Sequence, residues 1–414
     1  MAARIALNSI NYDIFNVRAN ETAHKTQDRA DIVGLGRTLF YEHARKGQSA
    51  IFSALKANDS GLADSVLQAG EYGKVNETFR NDHLLYAARK VCEFTGEKAP
   101  ETFEQFKQMS GKFYGNQHFY AVLQGIYQEI ITPILPAVYS EAVAQFADVV
   151  EVGFGETYAL SVGSNDIPVF QDSAWGASRS VPANRFYSKD YTLNPQPKTA
   201  EIRMKWHQLV GNNMDFGAFF ANIVAGMYAK TMGMWSAMLA EAATDPTKVP
   251  TALSQTFNAT NWVTLANKVS ALNNTSISNV VAYGGAVALS KVLPAESTGT
   301  SNTAMDAALA TLLGRDYILS GYLGKYMGVR LLPLRDAVIP GTQNTTVNTV
   351  LNQNTIWMMA ANARKPLTIA YNRDTPISIE IDPMKTASFE LIFNLTIAID
   401  SAAVFASKAG VITI

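Results

Sequence analysis

The chain has a single cysteine, Cys92, in 414 residues. An intrachain disulfide framework is therefore excluded, and the chain suits a reducing compartment. Histidine is also scarce. His24, His43, His83, His118 and His207 are scattered, without the His-x-His or His-Glu-x-x-His spacing that builds a zinc site. The four in the first part of the chain read most simply as surface or helix residues. No Gly-x-Ser-x-Gly elbow is present, and Cys92, on a helical stripe, reads as a small buried hydrophobe rather than a nucleophile. No cofactor, metal or catalytic residue is expected.

An excess of charge of either sign is missing too: 34 Lys and Arg stand against 35 Asp and Glu, a net charge of −1. A dedicated nucleic-acid binder neutralises phosphates with clustered Lys and Arg, so this balance argues against one. It does not exclude a container whose wall must avoid gripping nucleic acid. The segment Met1–Ile5 lacks the apolar core of a signal peptide, which gives the expectation of a protein made and used in a cytosol. The length allows two or three domains and a sizeable core.

Residues 1–130 carry 15 Lys and Arg and 15 Asp and Glu, against 19 and 20 in the remaining 284 residues. This step in charge density reads as a domain boundary. Within the first part, Val75–Thr95, Pro100–Met109 and Asn116–Ile131 have helical spacing, with Leu84, Leu85, Ala88 and Val91 on one stripe. Pro133 and Pro136 then open a further amphipathic helix, with Tyr139, Val143, Phe146 and Val150 inward and Gly153 as its stop.

The most informative stretch is Glu156–Ala243. Tyr158–Val162, Asp166–Gln171 and Arg185–Leu193 read as strand pieces separated by turn residues. In Thr199–Val210, Ile202, Met204 and Trp206 alternate with Glu201, Arg203, Lys205 and His207, the pattern of a strand with one wet face. So polar a ribbon cannot bury a core of its own and must lie on something else, such as another copy of the chain. Met214–Thr244 follows as a long helix in which Asp215, Lys230 and Glu241 are the charges. Its small residues, Gly217, Gly226 and Gly233 among them, are interleaved with Phe219, Met227 and Trp235. That mixture predicts close backbone approach on one side, with Gly226 in the contact and Lys230 at the solvent flank. A membrane span is disfavoured because Lys230 falls mid-run and no basic cluster flanks the segment.

Beyond Asp245, Asn261–Leu272 and Ala286–Leu293 read as helices. Ser278–Tyr283, Tyr317–Leu319, Val329–Pro333 and Ile356–Ala360 read as strands, and Asn344–Asn354 as a loop. The clearest strand is the last: Phe389, Leu391, Phe393, Leu395, Ile397 and Ile399 alternate with a more polar set. Helices and strands mix without strict alternation, so the fold class is α+β. Gly284 and Gly285 sit between strand and helix, where backbone N–H groups could cradle phosphate. The P-loop Lys and Ser/Thr are missing, so a plain turn is expected. Glycine fragments at Gly34, Gly36 and at Gly153, Gly155 lack the third glycine of a dinucleotide fingerprint. Glu380 and Asp382 share a strand face and read as exposed charges or intersubunit ion pairs, with Pro383 ending the strand.

Taken in this order, the residues from about Pro133 to Ile414 resemble the major capsid protein of tailed bacteriophages, the Hong Kong ninety-seven fold. The ribbon Glu156–His207 is similar to that family's extended loop and Asp215–Ala243 to its spine helix. The runs Ser278–Leu293, Leu312–Leu323 and Met327–Leu332 are similar to its axial domain. Phe389–Ile399 and Ser401–Ile412 are similar to its return into the peripheral domain. The resemblance implies a helical N-terminal arm or extension (1–130), a peripheral domain with the spine helix (131–155 and 205–258) and an extended loop (156–204). An axial domain (259–378) and a return to the peripheral domain (379–414) complete it. It further implies no enzymatic activity and self-assembly as pentamers and hexamers into an icosahedral shell around double-stranded DNA, bound without sequence specificity. Implied partners are scaffold, portal and decoration proteins, with no membrane. The location implied is the virion capsid, assembled in the host cytoplasm. An encapsulin-like nanocompartment shell is the alternative, and a soluble enzyme with a novel site a third class. Tyr187, Lys189, Tyr191, Arg203 and Lys205 are the candidate intersubunit contacts, and Lys189 is by position a candidate for covalent cross-linking.

Overall fold

A computed structural model of the chain describes residues 23–46, 72–134, 147–163, 188–211, 214–292, 321–342, 345–361, 365–372, 377–381, 390–403 and 409–414. Among the described residues four helices come first: α1 (Ala23–Lys46), α2 (Tyr72–Thr95), α3 (Phe103–Phe113) and α4 (Gln117–Ile131). Local chemistry starts the last two. The Thr102 side chain accepts the Gln105 N–H, and the Asn116 side chain accepts the His118 and Phe119 N–H groups, so orphan donors of each first turn are satisfied.

These helices pack tightly. A Cβ on Gly36 of α1 would collide with Ile130 of α4 and Phe79 of α2, so this glycine sets the helix crossing. Beside it, Arg29 donates from Nε and Nη2 to the Glu129 carboxylate at 3.1 and 2.6 Å, a two-point pair joining α1 to α4. The rings of Phe106, Phe113 and Phe119 stack with centroids 5.4 to 6.1 Å apart, which locks α3 onto α4. One hydrophobic core runs from Ile32 to Ile412. The step in charge density near residue 130 therefore marks no break in packing.

The rest of the chain alternates irregularly between strands and helices. It continues as β1 (Ala147–Val152), β2 (Tyr158–Gly163), β3 (Ser188–Leu193), β4 (Gln196–Lys205), α5 (Trp206–Val210), α6 (Phe216–Thr244), β5 (Ser254–Thr256), α7 (Ala259–Leu272), β6 (Val280–Gly284) and α8 (Ala286–Ser290). The final strands are β7 (Lys325–Tyr326), β8 (Val329–Pro333), β9 (Thr355–Ala360), β10 (Leu367–Asn372), β11 (Ile377–Ile381), β12 (Glu390–Ala403) and β13 (Gly410–Thr413). The class is α+β, as expected.

Two of these elements correct the sequence reading. Val150, assigned to the inward face of a helix ending at Gly153, lies on the strand β1, parallel to β10. Tyr139, Val143 and Phe146 lie outside the described residues, as do Asp166–Gln171 and Tyr317–Leu319. The run Ala147–Val152 contains three valines, whose branched side chains fit a pleated surface better than a helix. Trp206, read as the end of a strand, opens the short helix α5, because the chain turns at Lys205, where the Gln208 side chain accepts the Lys205 N–H.

One sheet runs β1-β10-β12-β11, with β4 also paired to β12. Its organising strand is β12. Leu391, Phe393, Leu395, Ile397 and Ile399 are buried on one face while the intervening residues are half-buried, so the predicted alternation is realised. Antiparallel to it, β4 pairs over ten residues from Glu390 opposite Lys205 to Ile399 opposite Gln196. The helix α6 lies against this sheet and against α1 and α2. The Phe219 ring meets Phe393 at 5.7 Å and the Phe216 ring meets Phe79 at 5.3 Å.

The second sheet has the order β5-β13-β9-β6-β8-β7. Every residue of β6 is buried, the pattern of a central strand covered on both faces. From α7, Trp262 packs edge-on against Tyr326 at 5.4 Å and donates Nε1–H to the Tyr326 carbonyl at 3.3 Å. The tail completes the second sheet, where β13 inserts between β5 and β9. Gly410 permits this insertion, since a Cβ there would strike Leu265 of α7. Chain order thus passes from the first sheet to the second and back, and β13 ends the described chain as a strand of the second sheet.

Candidate assembly surface

The ribbon of β2 and β3 forms a two-stranded sheet by itself, with Tyr158 opposite Leu193, Leu160 opposite Tyr191 and Val162 opposite Lys189. Two strands alone are marginal in water. What holds this pair is its foot. Leu193 packs with Val152 and Ala370, flanked by Val150, Tyr158 and Ala402, and the Asn194 N–H donates to Asp400 Oδ2 at 2.7 Å. Above the foot the strands are largely exposed, with Leu160 the one further buried residue.

The structure brings Lys189 and Tyr191 together and places Arg203 and Lys205 beside other residues. On the ribbon, the Lys189 ammonium lies over the Tyr191 ring, 5.1 Å from its centroid. On β4, Arg203 donates Nε–H to Glu201 Oε1 at 2.6 Å, and Lys205 stands opposite Glu390 of β12. Tyr187 lies outside the described residues. The excursion is shorter than expected. It ends at Leu193, because Gln196–Lys205 belongs to the first sheet through β12, where the Thr199 and Thr396 hydroxyls also meet at 3.0 Å.

The outer face of α6 is a second feature of this surface. The helix is capped by Asp215, whose side chain accepts the Ala218 N–H, and its 29 residues extend about 43 Å at 1.5 Å per residue. Phe220, Val224, Met227, Trp235 and Leu239 are buried, whereas Asn222, Ala225, Gly226, Lys230 and Ala237 are exposed. This reverses one expectation. A Cβ added at Gly226 or Gly233 would meet nothing within 4 Å among the described residues, so these two glycines make no close contact, although Gly217, Ala229 and Ala242 are buried. Lys230 is exposed as predicted. Among the described residues no helix is long and apolar enough to cross a membrane.

Polar chemistry elsewhere is absorbed by packing. Gly285 permits close approach of Gln353, whose amide lies against the position of a Cβ there; the turn before α8 is thus filled by protein. Gly153, Phe154 and Gly155 form a tight turn in which the Gly153 N–H donates to Glu156 Oε2 at 3.3 Å and Gly155 adopts a φ of +76°. Cys92 is buried, and desolvation, reinforced by Glu97, pushes its thiol pKa up, away from nucleophilic use. His83, read from sequence as a surface or helix residue, is fully buried. Its Nδ1–H donates to the Phe79 carbonyl at 2.6 Å and its Nε2 accepts from the Tyr127 hydroxyl at 3.1 Å. Burial lowers its pKa to about 3. Among the described residues no three His, Cys, Asp or Glu side chains cluster as metal ligands. Asp382 lies outside the described residues, and Glu380 is placed by its backbone opposite Ile392 on β12.

No family model matches the chain, and no curated protein does. Solved structures do. The capsid of the cyanophage P-SCSP1u is 10% identical, with a TM-score of 0.39, the match covering 64% of this chain and 86% of that one. The mature capsid of bacteriophage PhiM1 is 11% identical, with a TM-score of 0.39, over 65% of this chain and 85% of that one. A virus-like particle from Pyrococcus furiosus is 10% identical, with a TM-score of 0.35, over 67% of this chain and 95% of that one. These three solved structures are two phage capsids and a virus-like particle.

Proposed function

We propose that the chain is a structural shell subunit, the major capsid protein of a tailed phage. It assembles as pentamers and hexamers into a closed icosahedral shell around double-stranded DNA. The observation that carries this reading is the ribbon β2–β3, rooted at Leu193 and Asn194 yet largely exposed above its foot. Such a ribbon contributes little to its own core, so its ordering is repaid by contacts with neighbouring copies. The β4 strand and the exposed stripe of α6 offer further surface for such contacts. Lys189, Tyr191, Arg203 and Lys205, with Tyr187, are the intersubunit contacts in this reading. The near-zero net charge suits a wall that must enclose DNA without gripping it.

Electron microscopy of the purified protein tests this directly, with any required scaffold supplied. Closed shells of uniform diameter are expected, with dense nucleic acid in particles recovered from infected cells. Shells filled with an enzyme cargo instead of nucleic acid would identify a nanocompartment. A stable monomer under all salt and concentration conditions would overturn the proposal.

A further inference from the structure

We infer that Arg80, between α2 and α3, is the receptor for a compact oxyanion supplied from outside the subunit, either a free phosphate-like ion or a carboxylate carried by a second copy. The inference stands apart from the shell reading and starts from a charge without an acceptor. Arg80 is 6% exposed. A guanidinium carries five N–H donors, accepts nothing and stays charged in proteins. Among the described residues no acceptor bonds to it: Nε is buried without a partner, and the Glu77 carboxylate stands 3.7 Å from Nη2, too far for a hydrogen bond. Leaving a buried charge in this state is costly, so a buried donor without an acceptor points to a group that supplies one.

The cations around it are all better served. Arg29 donates twice to the Glu129 carboxylate, Arg37 to the Glu129 carbonyl, and Arg89 to the carbonyls of Pro100 and Glu101. Lys90, also buried, reaches Glu93 at 3.3 Å. Arg80 instead lies over the Phe103 ring, 5.4 Å from its centroid. That contact attracts the charge to the ring face but takes up no N–H in a hydrogen bond.

The surroundings suit an anion. Phe103 opens α3 and stacks on Phe106 at 5.6 Å, so the ring is a fixed wall. Lys107 stands over the same ring, 5.0 Å from its centroid, which sets a second cation beside the first. Glu77 is 61% exposed, so an entering oxyanion displaces a surface side chain and leaves the core intact. Burial lowers the Arg80 pKa and Glu77 raises it, as for a cation short of negative charge. The guanidinium fork matches two oxygens of one phosphate or carboxylate. With so little of it exposed, a free ion or a slim side chain can reach it, whereas the backbone of duplex DNA is too broad. Glu77 closing onto Arg80 by itself is the competing arrangement, and the two differ in what Glu77→Gln does.

The test measures the melting temperature of the full chain against inorganic phosphate, with chloride at matched ionic strength as the control. The parent is expected to show a saturable rise, the signature of a site offered by the folded state alone. Arg80→Met replaces the charge by an unbranched apolar side chain; it is expected to melt no lower than the parent without phosphate and to lose the saturable rise. Glu77→Gln removes the competing carboxylate and is expected to tighten phosphate binding about tenfold by isothermal titration calorimetry. Sedimentation velocity separates the two sources. Association weakened alike by phosphate and by Arg80→Met identifies a carboxylate of a second copy, and association indifferent to both identifies a free ion. An absent rise in the parent, or the same rise in Arg80→Met, overturns the site. So does a Glu77→Gln protein that loses stability and gains no affinity for phosphate, since Glu77 is then the partner of Arg80. A response to duplex DNA without one to phosphate overturns it as well. Should Arg80→Met not fold, the two outcomes for Glu77→Gln decide alone.

Discussion

The backbone N–H of Asn194 donates to the carboxylate of Asp400 at 2.7 Å, tying the foot of the β2–β3 ribbon to the long strand β12. The same carboxylate receives the Ser401 N–H at 2.8 Å. One acidic side chain therefore fixes where the ribbon leaves the body, across 206 residues of sequence. Asp400→Ala removes both acceptors, each a charge-assisted bond worth roughly 1.5–3 kcal/mol where buried and less at this half-exposed position. The expected outcome is a small loss of global stability and a clear rise in amide exchange confined to β2 and β3. Equal exchange in parent and variant would mean that the apolar foot alone holds the ribbon.

Glycines of α1 and α6 are expected to respond in opposite ways. Gly36→Leu drives a side chain into Ile130 and Phe79, an overpacking that costs about 1–3 kcal/mol or more. Gly226→Leu enters open space, so the subunit should fold and melt like the parent, as should Lys230→Gln. Thermal denaturation of the dissociated subunits decides this. A severe loss from Gly226→Leu with a benign Gly36→Leu would invert the assigned helix faces.

Acid sensitivity has a local source in His83. Its folded pKa, about 3, lies below the unfolded value near 6.5, because burial, and next to it the positive charge of Arg80, disfavour the imidazolium; the Phe79 carbonyl opposes them. Between these two values the unfolded chain binds a proton that the folded chain refuses, so stability is full above about pH 6.5 and declines as pH falls toward 3. The slope from this group is at most about 1.4 kcal/mol per pH unit. His83→Gln should flatten the dependence of denaturation midpoint on pH over that window. An equally steep dependence in the variant would place the titrating group elsewhere.

Much of the fold was legible because its strongest elements carry simple periods. The alternation from Leu391 to Ile399 is a half-buried strand in sequence and in space, and the sparsely charged run of α6 starts after Asp215, a good N-cap. Other elements carried no such period. All six residues of β10 are buried, so Leu367–Asn372 shows no alternation to read. Val150 falls on the helical spacing of the stretch before it, yet it belongs to β1, whose position depends on Leu367–Asn372 lying alongside, far away in sequence. Gly226 on α6 was misread for a related reason: small residues permit close approach but do not cause it, and no described residue comes within 4 Å of a Cβ there. Of the candidate surface, the wet face formed by Glu201, Arg203 and Lys205 on β4 was visible. Its place at the open edge of a sheet was not, since that depends on β12.

The most direct test of the account replaces residues 160–191 by a two-residue Asn-Gly turn joining Ala159 to Thr192, which face each other across the ribbon. The foot at Leu193, Asn194 and Asp400 is kept. Far-UV circular dichroism and a cooperative melt close to the parent's are predicted for the shortened subunit, together with the absence of closed shells by electron microscopy under conditions in which the parent forms them. Shells of normal size from the shortened chain, or its outright unfolding, would contradict the claim that this ribbon exists for neighbouring subunits.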